Sequence, residues 1–257
     1  MKSRYSLPKG MRYSTLKERR EFYQEEFDVT KLNEWFENWS LQGRVKFAVI
    51  IGRHTHILPK EFEEDASTTI IIEEHRNLQD VKAQIMEFLP ESAYYDRNVY
   101  DKKQHAIGQE LAFDLDPENL TCPIHGTLAD KMNRHQGLAF CEVELNMVKE
   151  EAIKLYEELA KQLLQMRIVY SGRGFHIHVF DSEPFTWKRT QRKVLATELK
   201  KKGFLIDEWV TTGGMRLIRL PYSLHGMVSR IVTPVEVQEL DRFNPVSDER
   251  CLPKFLR

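Results

Sequence analysis

A chain of 257 residues, 41% hydrophobic and 30% charged, is long enough to bury a sizeable core and too apolar to remain disordered. Its formal net charge of −1 means that any nucleic acid has to be met by a local basic surface, not by a basic chain as a whole. Cys122, Cys141 and Cys251 are too scattered for a disulfide scaffold, and the absence of a signal-type or membrane-length apolar run makes a soluble, cytoplasmic protein the expectation.

In chain order, residues 14–27 and 29–40 read as charged helices with aromatic anchors. Ser14 is a simple N-cap candidate, because Lys17 three residues later cannot close a capping box. The β-branched runs Val45–Ile51 and Ser67–Ile72 read as strands, with His54, His56 and Pro59 in the loop between them. Asn77 caps a helix over 78–89, whose Val81, Ile85, Phe88 and Leu89 make one apolar stripe. An aromatic loop, AYYDRNVY (93–100), leads into a strand over Glu110–Asp116, which Pro117 ends by offering no amide hydrogen.

An irregular segment (117–141) holds two of the cysteines, and a long amphipathic helix follows over 143–166. Strands at Arg167–Ser171 and Phe175–Phe180 flank a GRG turn, a basic helix spans 185–202, and strands near Arg216–Leu220 and Arg230–Val237 complete the chain. No internal repeat or low-complexity linker interrupts it. The mixture predicts an α/β (α+β) fold with a mixed central sheet flanked by helices, as a single domain over 1–257.

In LAFDLDPE, strand alternation sends Asp114 and Asp116 to one face and Phe113 and Leu115 to the other. Two carboxylates about 7 Å apart on one face repel unless a cation sits between them, which suits Mg²⁺ or Mn²⁺ with phosphate oxygens completing the shell. Taken alone the motif is short, and a solvent-facing or turn-capping pair is the commoner outcome. YSGRGFHIHVF places Ser171, Arg173 and His176 around a tight turn where a phosphate can approach the backbone. A plain hairpin is the simpler account of that turn by itself. His178 shares a face with His176 and reads as an ordinary strand residue.

Taken together, ELAFDLD, VYSGRGFHIHVFD, RLIRLPYSLHG and FNP…LPKF, in this order, resemble the catalytic small subunit of archaeo-eukaryotic primases. ESAYYDRNVYD and LPKGMRYSTLKERREFYQEEF are similar to the same family, so the likeness runs along essentially the whole chain. The resemblance implies a DNA primase catalytic core that synthesises short RNA or DNA primers from nucleoside triphosphates on single-stranded DNA, beside a large subunit. End-joining repair polymerases and non-catalytic nucleic-acid-binding relatives are the alternatives. It makes Asp114 and Asp116 metal ligands, and the count of eighteen residues back from His225 makes Asp207 the third. Ser171, Arg173 and His176 match the triphosphate-binding turn, and Arg219 and His225 a basic pair gripping the same phosphates. Two metal ions on three carboxylates suit nucleotidyl transfer.

Three departures from the family pattern stand out. Gly213 occupies a position where many relatives carry an acid, and Met227 one where some carry a phosphate-binding lysine, a contact that is either missing here or supplied elsewhere, with Arg230 the candidate. The interval from His176 to Asp207 holds a single basic helix, so the chain reads as a minimal core. The resemblance also implies a structural zinc knuckle within 120–145, with Cys122, His125, His135 and Cys141 as ligands and Glu144 where a final cysteine is usual; a decayed knuckle is the alternative. His54, His56, His75 and His105 have no partner at ligand spacing and read as loop residues. Tyr94, Tyr95 and Tyr100 suit either stacking on a base or packing under the sheet, and the basic helix suits either template phosphates or a solvated face.

Overall fold

The computed structural model describes residues 4–37, 44–72 and 75–257, so the last residues of the helix expected over 29–40 lie outside it. In chain order the elements are α1 (Leu16–Glu25), α2 (Val29–Glu37), β1 (Phe47–Ile50), β2 (Thr69–Ile72), α3 (Leu78–Phe88), β3 (Ser92–Asp96), β4 (Asn98–Tyr100) and β5 (Ala106–Gln109). Then come β6 (Leu111–Leu115), α4 (Leu128–Asn133), α5 (Glu142–Leu159), β7 (Met166–Tyr170), β8 (Phe175–Val179), α6 (Ser182–Phe185) and α7 (Arg189–Lys201). The chain closes with α8 (Glu208–Thr211), β9 (Leu217–Arg219), β10 (Leu224–His225), β11 (Arg230–Ile231) and β12 (Thr233–Val235).

The α+β class stands, but in place of one mixed sheet there are two four-stranded sheets, ordered β2-β1-β3-β9 and β12-β7-β8-β6, both antiparallel. The AYYDRNVY segment, expected as a loop, supplies β3 at the middle of the first sheet. Its Ala93 and Tyr95 are fully buried, because an interior strand needs apolar bulk on its core face. The 117–141 segment is not wholly irregular either: Thr127 and Asp130 close a capping box that starts α4.

Local chemistry explains the helix starts. Asn77 caps α3 by accepting from the amides of Gln79 and Asp80. At α1 the cap is Thr15, not Ser14, and Thr15 and Glu18 satisfy each other's amides in a capping box. Ser14 is buried, donating to the Gly226 carbonyl and accepting from Arg19 Nε. Arg19, itself fully buried, donates to the carbonyls of Ile51, Ile57 and Leu89 and so pins the 51–57 loop.

The second sheet carries the larger core. Leu145, Val148, Ala152, Leu155 and Leu159 recur at helical spacing on α5 and pack with Phe113, Leu115, Phe175 and Ile177 from β6 and β8. Each buried leucine, isoleucine, valine or phenylalanine among them contributes about 1.5–3 kcal/mol relative to an exposed position. β8 is buried on both faces. Its even-numbered residues, His176 and His178, therefore sit on the side away from α5, where a polar site forms.

Candidate active site

β6 and β8 place the first two groups. Asp114 and His176 are direct cross-strand partners, and His176 Nε2 lies 3.2 Å from Asp114 Oδ1. Phe113 and Leu115 are buried in the core beneath, while Asp114 and Asp116 line a cleft of about 300 Å³ on the opposite side. Asp207 enters this cleft from the N-terminus of α8. Its amide donates to the Asp114 carbonyl at 3.0 Å, and its Oδ1 accepts from the amides of Trp209 and Val210. A residue 93 positions away in sequence thus joins the carboxylate strand through one backbone hydrogen bond and a helix cap.

The GRG turn is glycine-flanked for steric reasons. Gly172 has φ +111°, and a Cβ there would fall 2.2 Å from the His225 ring. A Cβ on Gly174 would meet the Leu115 carbonyl oxygen at 2.1 Å and Asp116 Oδ1 at 2.7 Å. The turn lies directly against both the carboxylate strand and the SLH segment. Ser171 Oγ accepts from the Gly174 amide and holds the turn closed.

Three arginines and one histidine form the wall facing the carboxylates. Arg173 is buried and its Nη2 donates to Glu118, a carboxylate the sequence reading missed although it stands two residues beyond Asp116. Arg219 lies over the Tyr94 ring, 4.9 Å from the centroid, with Nη2 3.2 Å from the Tyr94 hydroxyl. Tyr94 therefore faces the cleft, whereas Tyr95 is buried against Glu110 and His178. Burial first, then the charges of Arg219 and Arg173, push His225 well below the ordinary histidine value, so it is neutral at pH 7. Arg53 also lines the cleft, held by the Ser67 carbonyl.

His54 is not a bare loop histidine. Its Nδ1 lies 2.6 Å from Glu91 Oε1, and it lines the cleft. Burial works to raise Glu91, but the hydrogen bond and charge of His54, with the Thr55 and His54 amides, bring it down to about 2. Sequence separation of 37 residues hid this pair.

The electrostatics at the carboxylates are unbalanced. Burial pushes Asp116 well above the usual carboxylate range, and the charges of Asp114 and Glu118 push the same way. Burial also works to raise Asp114, but His176, Arg219 and Arg173 hold it below its ordinary value. Among the described residues, twelve buried side-chain polar atoms lack a hydrogen-bond partner, and six belong to Asp114, Glu118, Arg173, His176, Arg219 and His225. Unsatisfied donors and acceptors at that density mark a site whose partners arrive from outside the chain. Oxygen-only donors on Asp114, Asp116 and Asp207 fit a hard divalent cation.

The family departures resolve in physical terms. Gly213 has φ +80°, a left-handed conformation that strains any other residue, and an acid there would also displace the Gln109 side chain, whose Oε1 lies 2.2 Å from the Cβ position. Met227 is buried, and Arg230 does not replace a phosphate-binding lysine. Its guanidinium donates to the carbonyls of Gly10, Val228, Ser229, Pro245 and Val246. Arg53, which donates to the Ser67 carbonyl, is a further arginine that lines the cleft. His178 lies on β8, as read from the sequence, and is in addition buried with Nδ1 2.6 Å from Glu110 Oε1.

At the knuckle, Cys122, His125, Cys141 and Glu144 bring one ligand atom each within 4.8 Å of one another. The expected His135 is exposed and outside this group; Glu144 takes the fourth corner. The reason is helical: Cys141 caps α5, and Glu144 turns back one helical turn later to accept from its amide at 3.0 Å. Glu144 is also paired with the buried Lys131 at 2.7 Å.

A curated protein of Archaeoglobus fulgidus, described as an uncharacterized DNA primase small subunit-like protein, is 46% identical over 98% of this chain and 94% of its own length. The chain belongs to the DNA primase small subunit-like family. The DNA primase small subunit PriS of Pyrobaculum calidifontis is 27% identical to this primase-like chain over 65% of it and 67% of the relative. PriS of Archaeoglobus fulgidus is 25% identical over 79% and 82%. No family model matches. Among solved structures, the polymerase domain of Mycobacterium tuberculosis ligase D in complex with DNA superposes with a TM-score of 0.56 at 16% identity, covering 98% of this chain and 92% of that one; the two share a fold. Family and fold make the chain a primase-type nucleotidyltransferase. No helix among its described residues is long and apolar enough to cross a membrane.

Proposed function

We propose that the chain is the catalytic subunit of a DNA primase, joining nucleoside triphosphates into short primers on a single-stranded DNA template. The observation that carries this reading is the convergence in one cleft of Asp114, Asp116 and Asp207 with Ser171, Arg173, His176, Arg219 and His225. The three carboxylates would hold Mg²⁺ or Mn²⁺, which when bound supply charge to offset the pyrophosphate leaving group. The chain's own residues orient the nucleotide. The Ser171–Gly174 turn offers its backbone to the triphosphate, and Arg219, braced by Tyr94, and neutral His225 donate to the β- and γ-phosphates. Arg173 reaches the same phosphates by exchanging Glu118 for them, and that exchange leaves Glu118 as a fourth carboxylate beside Asp116. Cys122, His125, Cys141 and Glu144 would hold a structural zinc ion. A large subunit as partner follows from the family alone.

Incubation of the protein with unprimed single-stranded DNA, labelled ribo- or deoxynucleoside triphosphates and Mn²⁺ or Mg²⁺ tests the reading. Short products made without a pre-existing 3′ end are the expected result. Products that appear only on a primed gap would replace primer synthesis by repair synthesis, and no incorporation with any metal would leave a nucleic-acid-binding relative.

A further inference from the structure

Beside the cleft, on the outer side of the segment that presents Asp207, lies a groove of about 530 Å³ lined by Arg189, Thr190, Lys193, Glu208, Trp209 and Thr212. Trp209 is its centre. The indole is 54% exposed, an unusual state for the side chain that gains most from burial. Its position is nevertheless fixed. The Trp209 amide donates to Asp207 Oδ1 at 2.7 Å, and its carbonyl accepts from Met215 at 3.0 Å. Gly214 lies against the ring, since a Cβ there would fall 2.8 Å from its Cδ2 and Cε2 atoms.

The charges around the ring have one sign left over. The Arg189 guanidinium stands 5.5 Å from the indole centroid, and Lys193 follows one helical turn later on α7. Neither has a carboxylate partner among the described residues, whereas Glu208 is already neutralised by Lys200 at 3.1 Å. The remaining basic residue of this stretch, Arg192, points inward and donates to the carbonyls of Gln109, Glu110 and Pro184. It anchors α7 against the start of β6 and keeps Arg189 and Lys193 in place. Met215, 44% exposed, lines the catalytic cleft and its amide donates to the Trp209 carbonyl at 3.0 Å, and Trp209 stands two residues after Asp207, so the groove lies next to the cleft.

A held, exposed aromatic ring flanked by unpaired cations is the combination that binds single-stranded nucleic acid: bases stack on the ring and phosphates meet the charges. We propose that the Trp209–Arg189–Lys193 groove is the bed for the single DNA strand leaving the catalytic cleft, with one base on Trp209 and successive phosphates on Arg189 and Lys193. The proposal rests on the template-directed reading above and adds a strand path to it. An acidic protein segment would satisfy the charges and an apolar one the ring, whereas a nucleic acid strand satisfies both beside the segment that presents Asp207.

The test is fluorescence anisotropy of a fluorescein-labelled oligo-dT with EDTA present, so that binding is read without catalysis. Trp209→Ala is expected to weaken binding about tenfold, with Trp209→Phe near the wild type. Arg189→Ala/Lys193→Ala is expected to weaken it and flatten the dependence of log K on log salt by about 1.4, from two phosphate contacts at about 0.7 each. If the wild type binds and Trp209→Ala binds within twofold of it, the groove is not the strand's bed and the catalytic reading is untouched. If the wild type does not bind the oligonucleotide at all, the proposal falls together with the template-directed reading.

Discussion

The carboxylate cleft and the knuckle are two clusters of ligand-type residues whose charges are arranged in opposite ways. In the cleft, Asp114 is met by His176 at 3.2 Å, whereas Asp116 is driven toward protonation by burial and by the charges of Asp114 and Glu118, and no ion pair closes on it among the described residues. In the knuckle, the carboxylate of Glu144 is already met by Lys131 at 2.7 Å and by the Cys141 amide at 3.0 Å. The cleft's own cations reach Asp114 and Glu118 and leave Asp116 short of positive charge. The knuckle supplies its own, so its fold does not depend on an ion in the same way. A carboxylate's neighbours, more than its presence in a motif, decide whether it is available to a metal.

The largest expected effect breaks the cleft's side of this comparison. Asp116→Ala should lower nucleotide incorporation by at least about a thousandfold, on the order of 4 kcal/mol of transition-state stabilisation. Asp116→Asn should do the same while raising the melting temperature at neutral pH, because it removes like charge from a buried pair. Mg²⁺ or Mn²⁺ should raise the wild-type melting temperature and leave that of Asp116→Asn unchanged. A melting temperature for Asp116→Asn below the wild type would contradict the charge imbalance described here.

The knuckle's side is sharpened by Lys131→Met. Removing the ammonium leaves Glu144 buried and unpaired, which should cost about 3–5 kcal/mol in chemical denaturation. Added ZnCl₂ should return much of that stability to the variant and less to the wild type, because the zinc ion then takes over the charge. Equal stabilisation of both proteins by zinc would show that Lys131 and the ion do not compete for Glu144.

The smallest of the three concerns the cleft wall. Glu91 sits at about 2 in the folded protein against 4.5 for its ordinary value. The unfolded chain therefore binds the extra proton first, and the stability from this group is full above about pH 4.5 and lost as pH falls toward 2. The difference corresponds to about 3 kcal/mol. Glu91→Gln should lose about that much at pH 7 and show a flatter acid limb in pH-dependent denaturation; an unchanged acid limb would mean that other carboxylates dominate it.

The legible parts of this protein are the ones in which neighbours in sequence are neighbours in space. Alternation along LAFDLD was enough to separate Phe113 and Leu115 from Asp114 and Asp116, and the 3.6-residue period was enough to find α3 and α5. The order of short motifs pointed to the family. Errors arose where a local rule had a close competitor. Ser14 and Thr15 are both good caps, and Arg19's need for a buried acceptor took Ser14 inward. AYYDRNVY reads as a loop until β1 and β9 pair on either side of β3.

By itself, then, the sequence determined the secondary structure of its periodic stretches, the family, and which residue types are present to do the chemistry. Only the tertiary structure decided their company. It set Asp207 against β6 through one amide, gave His54 a partner in Glu91, exchanged His135 for Glu144, turned Arg230 inward and left Trp209 outside. The Asp207, His54 and Arg230 outcomes depend on contacts between groups far apart along the chain, formed because a buried polar atom must find a partner. No local pattern encodes which distant partner that will be.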